Sequence, residues 1–248
     1  MNTGVHDATN LAWKLAGDLK GWYKPEVLQS FAVERREAAQ KLIYVDRLAA
    51  KAMSGDINVE GGLTPQDALR SVMETNMSFT IGLGISYEPS LVSKEPLATT
   101  LAPGTRSPDA MLRRPGPAVQ VRLHTITHTV SRGRWNILIF AGHPHKTKAA
   151  VASLRERISK SGSYLDNHAQ MLHLTTIMIG SAPSAWAAFD GPVLGNLYFD
   201  MESIAHDRYG VYPDNGAIVV VRPDGVFAFA ADLDGLDEIE EFLRPILK

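Results

Sequence analysis

The chain has 248 residues, with 25 Lys plus Arg against 27 Asp plus Glu for a formal net charge of −2. This balance excludes a polybasic nucleic-acid binder as the first reading, and the absence of cysteine excludes disulfides, Cys-ligated zinc, iron–sulfur clusters and thiol catalysis. No apolar run approaches the ~18 residues of a membrane span, and the opening stretch lacks the basic and apolar regions of a signal peptide, so a soluble cytoplasmic protein is expected.

In chain order, Val5, Ala8, Leu11, Ala12, Leu15, Ala16 and Leu19 recur at steps of three and four and predict a helix with one apolar stripe. Asn2 or Thr3 can cap it, Asp7 lies near its first turn, and Gly21 ends it. Pro25 opens a second helix. Its stripe of Leu28, Phe31, Ala38, Leu42, Val45, Ala49 and Ala52 runs to about Met53, roughly 43 Å at 1.5 Å per residue. A helix of that length must lie against a larger body. Ser54 to Leu63 reads as a polar break, and Thr64-Pro65-Gln66-Asp67 opens a third helix to about Phe79. Residues 81–117 are rich in Gly and Pro and read as an extended connection with short strands and a domain boundary.

The remainder alternates between strand and helix patterns. Val119 to Ile126, the buried-looking Trp135 to Ala141, and Leu172 to Ile179 are predicted strands. Thr147 to Ser159 is a predicted amphipathic helix, and Met201 to Tyr209 a short one. Ala217 to Val221 and Val226 to Ala230 form a hairpin through Arg222-Pro223-Asp224-Gly225, and Leu236 to Leu247 closes the chain as a helix. The pattern predicts an α/β sandwich with a mixed central sheet.

Two stretches carry a family resemblance. Met1 to Leu15 reads MNTG-x-x-DA-x-NL-x-WKL, with Glu34-Arg35-Arg36 downstream, and resembles the corresponding segments of the FAD-dependent aromatic hydroxylases. Pro103 to Asp109, followed by the α/β pattern, resembles the thioredoxin-like C-terminal domain of the phenol hydroxylase branch. The resemblance implies three parts: residues 1–80 as helices of a flavin-binding domain, 81–117 as a connection, and 118–248 as a thioredoxin-like domain, with a start near 83 as the alternative boundary. It implies FAD as cofactor, NAD(P)H as co-substrate and an aromatic substrate for the complete enzyme. It also implies a homodimer formed through the thioredoxin-like domain and contact with an upstream flavin domain.

By the same resemblance Met1, Asn2, Thr3 and Gly4 are the flavin-contact residues. A helix N-terminus offers backbone N–H groups to negative charge on the ring, and glycine permits close approach. The bland alternative is that Asn2 or Thr3 only caps a helix. The G-x-G-x-x-G turn that holds a dinucleotide pyrophosphate occurs nowhere in the chain. The resemblance is therefore to the last part of a longer enzyme, not catalytic alone, with Met1 either a natural start or an internal position. The alternative function is a non-catalytic dimerisation or interaction module. Where thioredoxins carry Cys-x-x-Cys, this chain has Gly142-His143-Pro144-His145, which refuses disulfide exchange.

Other candidates read as structural. His143 and His145 form a weak metal pair without a third ligand. His124 and His128 share a face of a predicted strand and are expected at the solvent. His168 and His173 form no set. Asp232, Asp234, Asp237, Glu238, Glu240 and Glu241 fail the calcium-loop spacing. Gly180-Ser181 and Gly162-Ser163 are not nucleophile elbows. Arg113-Arg114 and Arg132/Arg134 read as solubilising, and Trp135 and Trp186 as core or interface residues.

Overall fold

The computed structural model describes residues 2–54, 64–116, 119–181 and 191–248. Four helices come first: α1 (Asn2–Leu19), α2 (Pro25–Ser54), α3 (Pro65–Thr75) and α4 (Met77–Thr80). Gly21, at φ +70°, allows the turn after α1. Thr64 caps α3 by accepting from the Asp67 N–H, and the predicted third helix is broken at Asn76 into α3 and α4.

Then come β1 (Met111–Arg113), β2 (Gln120–Arg122), a π-helical turn (Thr125–Val130), β3 (Trp135–Gly142), α5 (Pro144–Ser159), α6 (Tyr164–Asn167) and β4 (Leu172–Ile179). The chain finishes with β5 (Asn196–Asp200), α7 (Ile204–Arg208), β6 (Ala217–Val221), β7 (Phe227–Ala231) and α8 (Leu236–Leu243).

The strands form one seven-stranded mixed sheet in the order β2-β1-β5-β4-β3-β6-β7. β3, β4 and β5 are parallel, β6 runs antiparallel to them, and β7 reverses again at the hairpin to run antiparallel to β6. The β3-α5-β4 crossover followed by the β6–β7 hairpin and α8, in the order β4-β3-β6-β7, is the thioredoxin-like arrangement. β3 is buried along its whole length, as expected for a central strand covered on both faces. One core packs Trp135, Ile137, Val151, Leu154, Ile239 and Phe242 between the sheet and α5 and α8. The other packs Leu112, Leu123, Phe140, Ala205, Tyr209 and Phe227 on the opposite face.

The helical region is sewn to this body. Trp13 of α1 meets Trp135 edge-on at 5.5 Å, and Trp135 meets Phe242 at 6.1 Å. The α1–α2 turn pairs with the chain's tail, Lys24 N–H donating to Ile246 O at 2.9 Å and Lys248 N–H to Trp22 O at 2.9 Å. Residues 94–107 run along β7, with Lys94 N–H donating to Ala228 O, Leu97 N–H to Ala230 O and Gly104 N–H to Phe227 O. This segment seals one edge of the sheet.

Two sequence expectations are corrected. The predicted strand Val119–Ile126 survives only as β2, because the chain then turns into the π-helical turn, where Thr127 Oγ1 donates back to Leu123 O. The predicted apolar stripe of α1 is not its buried face. Val5, Leu15 and Leu19 are 61%, 42% and 78% exposed, whereas Asn10, Trp13 and Lys14 are buried.

Candidate functional site

Met1 and the side chain of Asn2 lie outside the described residues. Thr3 is half-buried and Gly4 is exposed at the first turn of α1, and a Cβ added to Gly4 would meet nothing within 4 Å. Among the described residues nothing covers Gly4, so a flat ring edge can approach the first turn of α1 from outside. The enclosed space nearby is small. A cavity of about 40 Å³ is lined by His6, Thr9, Asn10, Tyr87, Arg106 and Asp224, among others, and is far too small for a flavin ring. The residues present therefore fit FAD on one side only, as a contact and not as a pocket.

Behind that end the geometry is tight. Arg35 Nε donates to Asp7 Oδ1 at 2.5 Å and Arg35 Nη1 to the Tyr87 hydroxyl at 3.0 Å. His6 packs on Gly82, where φ is +82° and a Cβ would stand 2.6 Å from His6 Nε2. Gly82 is thus required both for its backbone and for the approach.

One turn further along α1 is a buried ion cluster. Glu34 of α2 accepts from Asn10 Nδ2 at 2.7 Å and Lys14 Nζ at 2.7 Å. It also takes a two-pronged pair from Arg222, Nη1 at 2.6 Å and Nη2 at 3.1 Å. Arg222 directly follows β6 in the hairpin turn, and its guanidinium also donates to Asp224, Nε at 3.0 Å and Nη2 at 2.6 Å. Asp224 in turn accepts from Trp13 Nε1 at 3.0 Å. The guanidinium lies against the rings of Trp13 and Tyr87, 5.3 and 5.4 Å from their centroids.

Lys14 and Arg222 are 0% exposed and Glu34 is 2% exposed, so each charge is stable there only through its partners. Burial raises the Glu34 carboxyl, but Arg222 and Lys14 outweigh it and hold it down at about 2. Burial pushes the Lys14 ammonium down to about 8 against the pull of Glu34. Arg222 is raised because Asp224 and Glu34 outweigh its burial. Two cations and two carboxylates balance. The cluster joins the WKL segment, the ERR segment and the hairpin turn, three stretches distant in sequence.

The remaining sequence candidates are dispersed. His143 precedes α5, and its ring lies 5.6 Å from that of His145. His124 and His128 sit on the π-helical turn, not on a strand, with rings 5.4 Å apart. His124 is half-buried, its Nε2 2.9 Å from Ser107 O, and His128 is exposed. His168 lies against Tyr164, with Nδ1 2.7 Å from its carbonyl. His173 is buried between Asn136 and Asn196, and burial, aided by Arg134, lowers it to about 4. Asp237 pairs with Arg157 at 2.6 Å. No group of three or more His, Cys, Asp or Glu able to hold a metal occurs among the described residues. Trp135 is a core residue, and Trp186 lies outside the described residues.

The ion cluster and one further pair escaped the sequence reading. His206 is fully buried, with Nδ1 2.8 Å from Asp200 Oδ2 and Nε2 accepting the Gly142 N–H at 3.2 Å. Both ring nitrogens are engaged, so no proton-transfer face is free. At the place of the thioredoxin thiols, Gly142 has φ +62° and His143 N–H donates to Pro213 O at 2.7 Å. That internal bond draws the 213 loop against the start of α5. A charge inside an apolar run, Lys14 within Leu11-Ala12-Trp13-Lys14-Leu15-Ala16, was the available signal for the cluster.

Comparison with known proteins accords with this anatomy. The phenol hydroxylase C-terminal dimerisation domain matches residues 85–248, and an FAD binding domain matches residues 1–46. The chain belongs to the phenol hydroxylase C-terminal dimerisation-domain family. Among similar proteins, an FAD-dependent monooxygenase, terD, of Aspergillus terreus is 28% identical over 100% of this chain and 46% of its own length. A phenol 2-monooxygenase, fsqG, of Aspergillus fumigatus is 29% identical over 98% of this chain and 44% of its own. A 3-hydroxybenzoate 4-monooxygenase of Comamonas testosteroni is 29% identical over 90% and 40%. The flavin-dependent monooxygenase PieE, solved with FAD and substrate, shares the fold at a TM-score of 0.58 and 18% identity, covering 98% of this chain and 44% of that one. The chain thus spans a little under half the length of the curated relatives it matches. No described helix is long and apolar enough to cross a membrane.

Proposed function

We infer that these residues serve as the C-terminal part of an FAD- and NAD(P)H-dependent aromatic, phenol-type monooxygenase, and that they do not carry out its chemistry alone. The observation that carries this reading is the disposition of α1. Its polar face is locked onto the sheet, while its glycine-bearing N-terminus and its apolar stripe stand open. Such a face calls for a covering body, and the flavin-holding region of the enzyme is that body. Met1, Asn2, Thr3 and Gly4 then lie at the flavin ring, where the first-turn N–H groups hold negative charge. Bound FAD supplies oxygen activation for hydroxylation of a phenolic ring. Residues 1–80 belong to the flavin domain, 81–117 to the connection, and 118–248 to a thioredoxin-like domain through which two copies pair.

Flavin retention tests the reading. The chain is mixed with excess FAD, desalted, and its absorbance read near ~450 nm, where the isoalloxazine absorbs. Far less than one flavin per chain is expected. Co-expression with the dinucleotide-binding region of such a hydroxylase is expected to give a flavin-loaded complex. Stoichiometric flavin on the chain alone would overturn the statement that the cradle lies elsewhere, and a flavin-free product on co-expression would count against the docking of α1. The alternative, a dimerisation module with no flavin partner, is favoured by the thiol-free thioredoxin-like body and predicts that second outcome.

A further inference from the structure

The two edges of the sheet are treated differently. β7 is sealed by residues 94–107, whereas among the described residues no strand or segment pairs with the outer edge of β2 at the other end. Its register shows which groups are free. Arg114 N–H donates to Val119 O, Leu123 N–H donates to Ala110 O, and Leu112 stands opposite Val121. Residues 119, 121 and 123 therefore turn their backbone polar groups toward β1, and Gln120 and Arg122 turn theirs outward. No backbone partner for these two residues is found among the described residues.

An outward pair separated by one residue is self-complementary. Two β2 strands set antiparallel about a two-fold axis at Val121 place Gln120 of one opposite Arg122 of the other, and the outward N–H and C=O groups match. Beside the edge lies a groove lined by Met111, Arg113, Gln120, Met201, Glu202 and Ile204. Buried Leu112 and Phe199 form its floor, and three further apolar side chains are open, Met111 and Met201 at 47% and Ile204 at 36%. Arg113 and Glu202 put both signs on the same patch, so a two-fold copy can set one against the other.

We propose that two copies of this chain associate through the free edge of β2 and the Met111–Met201–Ile204 groove beside it. The proposal rests on the dimer reading above and names the surface that reading leaves open. A second copy is the occupant because the patch is self-complementary in backbone and in charge, and because the matching family is a dimerisation domain.

These 248 residues contain no cysteine, so single thiols can be placed cleanly in this chain. Gln120→Cys is expected to give a covalent dimer with a short bis-maleimide, and Lys160→Cys on the exposed end of α5 is expected to give none. By sedimentation equilibrium, the double variant Met111→Glu/Met201→Glu is expected to raise the dimer dissociation constant at least about thirtyfold. Both substituted side chains are exposed in the single chain, so an unchanged far-UV spectrum should accompany the loss. Equal cross-linking at positions 120 and 160 would overturn the proposal. So would a dimer whose dissociation constant the double variant leaves unchanged. A monomeric parent chain would overturn the dimer reading itself, while the flavin measurement would stand independently.

Discussion

Glu34 accepts hydrogen bonds from three side chains carried by two other places in the fold, α1 and the β6–β7 turn. Removing its charge leaves Lys14 and Arg222 as buried cations with too little counter-charge. Glu34→Gln is therefore expected to destabilise the fold by about 3–5 kcal/mol, the usual consequence of breaking a buried pair from one side, read as a lower urea midpoint. The sign of the pH dependence follows from the same residue. Its carboxyl is held below its ordinary value of 4.5, at about 2. Its contribution is fully present above about 4.5 and is lost as pH falls through about 2. Urea midpoints between pH 5 and pH 2 should fall less steeply in Glu34→Gln than in the parent, and parallel curves would refute the assignment.

At the scale of elements, α1 shows why periodicity located the helix and misjudged its orientation. Apolar spacing marks a stripe but not what covers it. Here the inward face is Asn10, Trp13 and Lys14, made tolerable by Glu34, Arg222 and Asp224 from elsewhere in the chain. The exposed stripe contributes little to this chain's own stability. Leu15→Gln with Leu19→Gln should change the unfolding free energy by no more than about 0.5 kcal/mol, while reducing aggregation measured by light scattering. The central strands were legible because β3 and β4 are continuous apolar runs and the Arg222–Gly225 turn has its glycine at φ +78°. β5 was not legible, because its five residues begin and end in polar Asn196 and Asp200, a composition that resembles a loop. The π-helical turn defeated β-propensity because Thr127 and Ser131 return their hydroxyls to the backbone of the preceding turn. At the candidate site, the N-terminal end of α1 was singled out by resemblance alone, and the ion cluster behind it was not legible, since no local spacing links Glu34 to Arg222.

Across the whole molecule, the helices and the sheet share aromatic contacts, a backbone bridge and the ion cluster, so they should unfold together. Near-UV circular dichroism, which reports Trp13 and Trp135, and far-UV circular dichroism, which reports the helices, are expected to give coincident urea transitions. Glu34→Gln is expected to separate them, with the aromatic signal lost first. Two separate transitions in the parent chain would show that the helical region is only loosely attached. The fold class was readable from the strand and helix order alone. The attachment of α1 and α2 to that fold was not, because it depends on contacts such as Trp13 to Asp224, which only the folded topology brings together.

The ion cluster also imposes an order in time. Glu34 and Arg222 are separated by 188 positions. At a synthesis rate of about 5–20 residues per second, about ten to forty seconds pass between them on the ribosome. During that interval α1 and α2 emerge with Lys14 and Glu34 but without the guanidinium that completes their pairing. The helical arm must therefore wait in water, its polar face hydrated and its tryptophan uncovered, until the final hairpin is made. The Arg222–Gly225 hairpin, made late, decides when the much earlier α1 and α2 take their place against the sheet.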